Sequence, residues 1–390
     1  MKADGTAMTY DVQALRRDQF PWTAEHIYLD HASIGPLPSR TLAAVEAYNR
    51  NRAAPYRLNH ATLFDVLTRS RQLAGRLIGA DPDEIALTVN TSYGLNLAAR
   101  MLPLEEGDVV LTSDREFPAN IYPWLMLKDK GVTLERVPVT EHGWPDEERI
   151  LARLDDPRVR VLAVSLVQFH TGFRLDLDRL GERCRATGTM LVVDAIQALG
   201  VLPFDVRETP VDILSCGAQK WLCSPWGSGF MYVNRAWHDR LTPSFAGWTA
   251  FEGTADFTAI TSYDERWLPD ARRYELISLP FQDFAGMNES LELLLSLDPG
   301  AIARHVLATH QPVLEMADRR GLRVTSPRDH HVSGMVCVEM PDLIAAHAAL
   351  KENGITASRR EGAIRISPHC YNTVEELEVV AGVLEKSLSR

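Results

Sequence analysis

The chain has 390 residues, 45% of them apolar, with 41 basic against 52 acidic side chains and a net charge of −11. That length exceeds one small core and points to two domains, while the acidic balance argues against nucleic acid or an anionic membrane as the main partner. The five cysteines, at 184, 216, 223, 337 and 370, are scattered without paired or metal-finger spacing, which fits a reducing cytoplasm and no metal centre.

Met1 to Tyr10 has no apolar stretch of the signal-peptide kind, and no run approaches the roughly 18 apolar residues of a membrane span. From about residue 62 to 245, helical patterns alternate with short apolar runs at 109–112, 159–167, 190–194, 213–216 and 229–233. Runs that are nearly continuous in apolar character belong to strands buried on both faces, hence to a mainly parallel sheet covered by helices. Val89-Asn90-Thr91-Ser92-Tyr93-Gly94 reads as a strand end turning into a helix that reaches about Met101. Free amides and hydroxyls at such a helix start suit a phosphate dianion, with Thr91 and Ser92 as donors, although plain N-capping uses the same pattern.

Between 245 and 273 the text turns irregular around Gly247, Gly253 and Pro269, as an active-site loop followed by a crossing into a second domain would. Helical patterns follow at 281–297 and 301–320. The last segment has a βαβα pattern: 332–340, 341–353 closed by Gly354, 363–367 and 373–388, with Thr373 and Glu376 forming a capping box. No GxGxxG follows a strand, which argues against a dinucleotide-binding dehydrogenase.

The most telling pair is Lys220 and Asp194. Lys220 lies among small and apolar neighbours in Ser215-Cys216-Gly217-Ala218-Gln219-Lys220-Trp221-Leu222, where burying an amine is costly unless it is used. Asp194 ends the apolar run Leu191-Val192-Val193, which aims its carboxylate out of the carboxyl end of the sheet. Pyridoxal 5'-phosphate needs an amine for its aldehyde and an acid for its ring nitrogen, and this stretch offers one of each. Lys220 would carry the cofactor and then act as the base at the substrate's Cα.

From about Tyr28 to the C-terminus the chain resembles the class V aminotransferase family of fold-type I pyridoxal-phosphate enzymes. That family includes cysteine desulfurases, C–S lyases, kynureninase and isopenicillin N epimerase. The most specific match runs from Asp194-Ala195-Ile196-Gln197 through Lys220-Trp221-Leu222 to Pro225-Trp226-Gly227-Ser228-Gly229-Phe230. The resemblance implies an α/β fold with a large cofactor-binding domain at 20–275, built on a mainly parallel mixed sheet flanked by helices. Residues 1–19 and 276–390 would form a smaller α+β domain.

The same likeness assigns roles. Phe117, in Glu116-Phe117-Pro118-Ala119-Asn120, matches the residue that stacks on the cofactor ring, and Gln197 the glutamine near its phenolic oxygen. His170 is nearest to the usual asparagine of that segment, with the register uncertain by one residue, and Gln219 replaces a phosphate-binding histidine or tyrosine. Thr249 of Gly247-Trp248-Thr249 matches a loop that reaches the partner subunit's phosphate, which implies a homodimer with shared active sites. Arg365 of Arg365-Ile366-Ser367-Pro368 matches the clamp for a substrate α-carboxylate, and His31 and Ser33 fall in a loop that closes over the substrate. The loop Ser358-Arg359-Arg360-Glu361-Gly362 lacks the cysteine of sulfur-transferring relatives, so a persulfide route is disfavoured. The expected activity is β-elimination from a cysteine-derived amino acid, with transamination, epimerisation and decarboxylation as alternatives.

Overall fold

A computed structural model describes residues 10–389. The first nine residues, part of the N-terminal reading and of the expected small domain, lie outside the described residues. Seven strands form the main sheet in the order Ile85–Leu87, Gly229–Val233, Ile213–Gly217, Met190–Asp194, Val159–Ser165, Val109–Ser113 and Thr133–Val137. All neighbours pair in parallel except Gly229–Val233, which runs antiparallel to both of its neighbours. Five of these strands had been anticipated as apolar runs. The edge strand Thr133–Val137 had not: its Thr-Leu-Glu-Arg-Val is largely exposed and polar, as edge strands often are, and carries no buried-strand signal.

Helices on both faces bury the sheet, and four of its five inner strands, Val109–Ser113, Met190–Asp194, Ile213–Gly217 and Gly229–Val233, are buried along their whole length. A second core lies under the antiparallel sheet Ser358–Arg360, Ala363–Ile366 and Val336–Glu339, packed by the helices Gln311–Arg320, Leu343–Glu352 and Val374–Ser387. The expected Thr373–Glu376 capping box opens the last of these helices. The single helical pattern at 301–320 is two helices, Pro299–Thr309 and Gln311–Arg320. Pro312 has no N–H to continue the ladder, so the chain restarts there.

The expected division near residue 275 is crossed in both directions. Phe281–Leu297 packs on the helices Ser39–Arg52 and His60–Ile78, and Phe284, Met287 and Leu291 join the main core. Conversely, Ile27–Tyr28 pairs in parallel with Ile355–Thr356, and Asp30 bridges to Ser367. The apolar stretches at 27–29 and 284–294 follow the surface they can bury rather than their place in the chain. Consequently the Asp30–Gly35 loop is carried from the C-terminal sheet to the mouth of the main one.

Candidate active site

Parallel pairing sets Ser165, Asp194 and Ser215 side by side at the carboxyl ends of three central strands. Asp194 is buried, and its carboxylate accepts from the Ile196 backbone N–H at 3.0 Å. Desolvation pushes its pKa up to about 7, partly offset by that hydrogen bond and by the Lys220 charge. Lys220 follows the next strand, and its pKa falls to about 8, chiefly because burial penalises the ammonium; Asp194 pulls it up, while Arg365 and Arg360 push it further down. The two expected reagents are thus within electrostatic reach of each other, in one largely buried place.

Lys220 Nζ stands 5.6 Å from the centre of the Phe117 ring. Phe117 meets Phe169 edge to face at 5.2 Å, and the Phe169 carbonyl accepts from Arg365 Nη1 at 2.8 Å. Arg365 is fully buried, and Nε donates to Ser358 Oγ at 3.2 Å while Nη2 donates to Ser33 Oγ at 2.7 Å and faces Asp30 Oδ1 at 3.3 Å. Lys220, Phe117 and Arg365 are therefore joined by one short run of contacts through Phe169.

The helix Thr91–Met101 begins beside Lys220. Its cap is Asn90, which accepts from Tyr93 N–H at 2.8 Å; Thr91 Oγ1 accepts from Gly217 N–H at 2.8 Å, and Ser92 is exposed at the helix start. The capping role falls to Asn90, leaving Thr91 and Ser92 at the positive end of a helix with no acid in its first turn. A Cβ on Gly217 would run into Gln219 Oε1 and lie against Thr91 N and Oγ1. That glycine keeps open a cradle bounded by one amide, one hydroxyl and a helix N-terminus, the donor set a phosphate dianion requires. With Asp194 and Lys220 at its other end, the cleft fits pyridoxal phosphate.

Other residues sit differently from expectation. His31 is wholly buried, with Nδ1 against the Ser367 carbonyl at 3.2 Å, Nε2 against Tyr371 Oη at 3.0 Å and its ring over Trp221. Desolvation drives its pKa well below the usual value, and both ring nitrogens are taken up by partners in the core. Gln197 ties Nε2 to the Ala32 carbonyl at 3.0 Å and takes Trp221 Nε1–H on Oε1 at 2.8 Å; it holds the 30–35 loop against the lysine segment. His170 is buried with neither ring nitrogen hydrogen-bonded and its ring 5.1 Å from that of Phe169, and the charges that act on it are Arg115 and Glu361. Thr249 lines a cavity of about 400 Å³ with Phe64, Arg71, Trp248 and Phe257, and none of the residues around Lys220 shares that cavity.

Three residues escaped the sequence reading. Glu116 is buried and accepts from Ser165 N–H at 2.8 Å, from Ser165 Oγ–H and from Gln168 Nε2 at 2.7 Å, which ties the Phe117 loop to the strand beside Asp194. Burial raises its pKa, and its charge raises that of Asp194. Asp30 and Arg360 join the Arg365 cluster. An acid directly before the stacking position was the only available signal for Glu116, and nothing local marked the other two.

Residues 27–380 match the family described as aminotransferase class-V. Over 378 residues the chain is 30% identical to an isopenicillin N epimerase of Streptomyces clavuligerus, covering 92% of this chain and 94% of that one. It is 26% identical to a probable cysteine desulfurase of Methanothermobacter thermautotrophicus, with 95% and 97% covered. The apo cysteine desulfurase of Thermococcus onnurineus superposes with a TM-score of 0.87 at 23% identity, over 98% of this chain and 100% of that one, a likeness of fold.

Proposed function

Because the chain belongs to the class-V aminotransferase family of pyridoxal-phosphate enzymes, we propose that it removes a β-substituent from a cysteine-derived amino acid, as a C–S lyase does. When bound, the cofactor supplies an electron-withdrawing ring for the carbanion that forms at the substrate's Cα. The chain's own residues do the rest. Asp194 would accept from the protonated ring nitrogen, whose positive charge would favour the ionised carboxylate against the cost of burial. Phe117, whose ring lies beside Lys220 Nζ, would stack on the cofactor ring and keep water from that side. Lys220, whose pKa burial lowers to about 8 so that its neutral amine is far easier to form than that of an ordinary lysine, would take the Cα proton. Arg365 holds the α-carboxylate by its fork, which fixes the Cα–H bond relative to that amine.

The observation that supports this reading is that Asp194 and Arg365 act electrostatically on Lys220 while the Phe117 ring lies beside its amine. Against a persulfide route stands the chemistry of the thiols: all five cysteines are buried, and desolvation pushes each pKa up, Cys223 and Cys184 to about 12. A persulfide-forming thiol needs to be a mobile thiolate. Epimerisation is a second reading, favoured by the 30% identity to isopenicillin N epimerase. Thr249, remote from Lys220 in its own chain, gains a use if a second copy brings it to the phosphate cradle, and the active assembly on this reading is a homodimer.

Product analysis with a panel of amino acids tests the proposal. Pyruvate, ammonia and a thiol in equal amounts from a cysteine conjugate are expected; inversion at Cα without bond cleavage would replace the proposal by the epimerase reading. Persulfide accumulating on the protein would refute it.

A further inference from the structure

The cleft contains a second arginine to which no role attaches. Arg360 Nη2 donates to Ser33 Oγ at 3.1 Å, and Arg365 Nη2 donates to the same oxygen at 2.7 Å. The Ser33 hydroxyl passes its own proton to Asp30 Oδ1 at 2.8 Å. One neutral oxygen is thus the shared acceptor of two guanidinium groups and is fully used.

That is the setting an anionic oxygen prefers, because charge-assisted bonds to a carboxylate are about twice as strong as those to a neutral hydroxyl. Asp30 balances only one of the two cations. Among the described residues Arg360 has no ion pair; its other donor, Nη1, goes to the Arg359 carbonyl at 2.8 Å. The guanidinium is partly buried and acts electrostatically on Lys220, as Arg365 does, so both reach the place where an amino acid must react. Ser33 reaches both arginines through its side chain alone, so a turn of that side chain withdraws the hydroxyl while Asp30 keeps its pair with Arg365 and the loop backbone stays in place.

We propose that the Ser33 hydroxyl marks the position of one substrate carboxylate oxygen, and that Arg360 is the second cationic arm of the α-carboxylate clamp, acting with Arg365 when the Ser33 side chain yields that place. This rests on the reading of the site given above. The clamp takes the carboxylate common to every α-amino acid, so Arg360 raises affinity across substrates and does not select an acidic side chain. Ser33 is the occupant of the empty site, and binding exchanges a neutral acceptor for a charged one.

The holoenzyme tests this through its visible cofactor band, titrated with a panel of monocarboxylic and dicarboxylic amino acids, and through steady-state kinetics on those it turns over. Arg360→Gln is expected to raise Kd and KM about tenfold, about 1.4 kcal/mol, to a similar degree for every amino acid, with kcat within a few-fold of wild type. Arg360→Lys recovers part of the loss, which a misfolded variant does not do. Ser33→Ala binds amino acids at least as tightly as wild type. An unchanged KM in Arg360→Gln overturns the proposal, as does a loss confined to dicarboxylic substrates, which makes the residue a side-chain reader. Weaker binding by Ser33→Ala overturns the placeholder. Failure of the underlying reading is visible separately, since the wild type would then show no band change with any amino acid.

Discussion

Burial gives Lys220 a chemical advantage that can be measured without any substrate. Lowering its pKa from 10.5 to about 8 raises the neutral fraction of the amine at pH 7 about 300-fold, since each unit is a factor of ten and about 1.4 kcal/mol against the ammonium. Only the neutral form attacks an aldehyde, so reactivity rises as pH climbs through about 8 and levels off above it. The neighbours set opposite corrections. Asp194 favours the ammonium, so Asp194→Asn moves the midpoint down; Arg365 disfavours it, so Arg365→Gln moves the midpoint up. The assay is competitive acylation of the apoenzyme across pH, with the label at Lys220 quantified by mass spectrometry against exposed lysines. A midpoint near that of an ordinary lysine, or both variants moving it in the same direction, would refute the idea that desolvation and these two charges govern the amine.

Two further expectations concern the scaffold of the site. Glu116→Ala leaves the Ser165 N–H and the Gln168 amide buried without their acceptor, at about 1–3 kcal/mol each; urea unfolding should show a loss of about 3 kcal/mol, and a loss under about 1 kcal/mol would remove Glu116 as the tie between the Phe117 loop and the sheet. In Gly35→Ala the new Cβ runs into the Lys220 carbonyl oxygen, a backbone atom that cannot turn aside. The variant should keep its melting temperature to within a few degrees, about 1 kcal/mol for a chain of this size, yet lose the lysine-bound cofactor band; a normal band would show that the loop is not pressed against the lysine.

Local chemistry was enough to single out the reagents. An amine among small residues after an apolar run, and an acid closing another apolar run, announce Lys220 and Asp194 because both signals are written in consecutive residues. The same holds for the buried central strands, whose continuous apolar text has no other use, and for the Thr373–Glu376 cap. Where the setting of a side chain depends on a distant partner, residue type alone does not give it. His31 has the chemistry of a ligand, yet Trp221, Tyr371 and Ser367 enclose it and use both nitrogens. Gln197 ties Ala32 to Trp221, a link that its residue type does not announce.

By itself, then, the order of residues determined which groups are reactive and which runs must be buried, since desolvation cost and strand periodicity act over a few positions. Tertiary packing alone decided the neighbours. Arg365 meets Asp30 across 335 positions because Ile27–Tyr28 joins the edge of the C-terminal unit and delivers the next loop to the mouth of the main sheet. That closure is set by how two apolar surfaces fit, and no stretch of the chain read alone contains it.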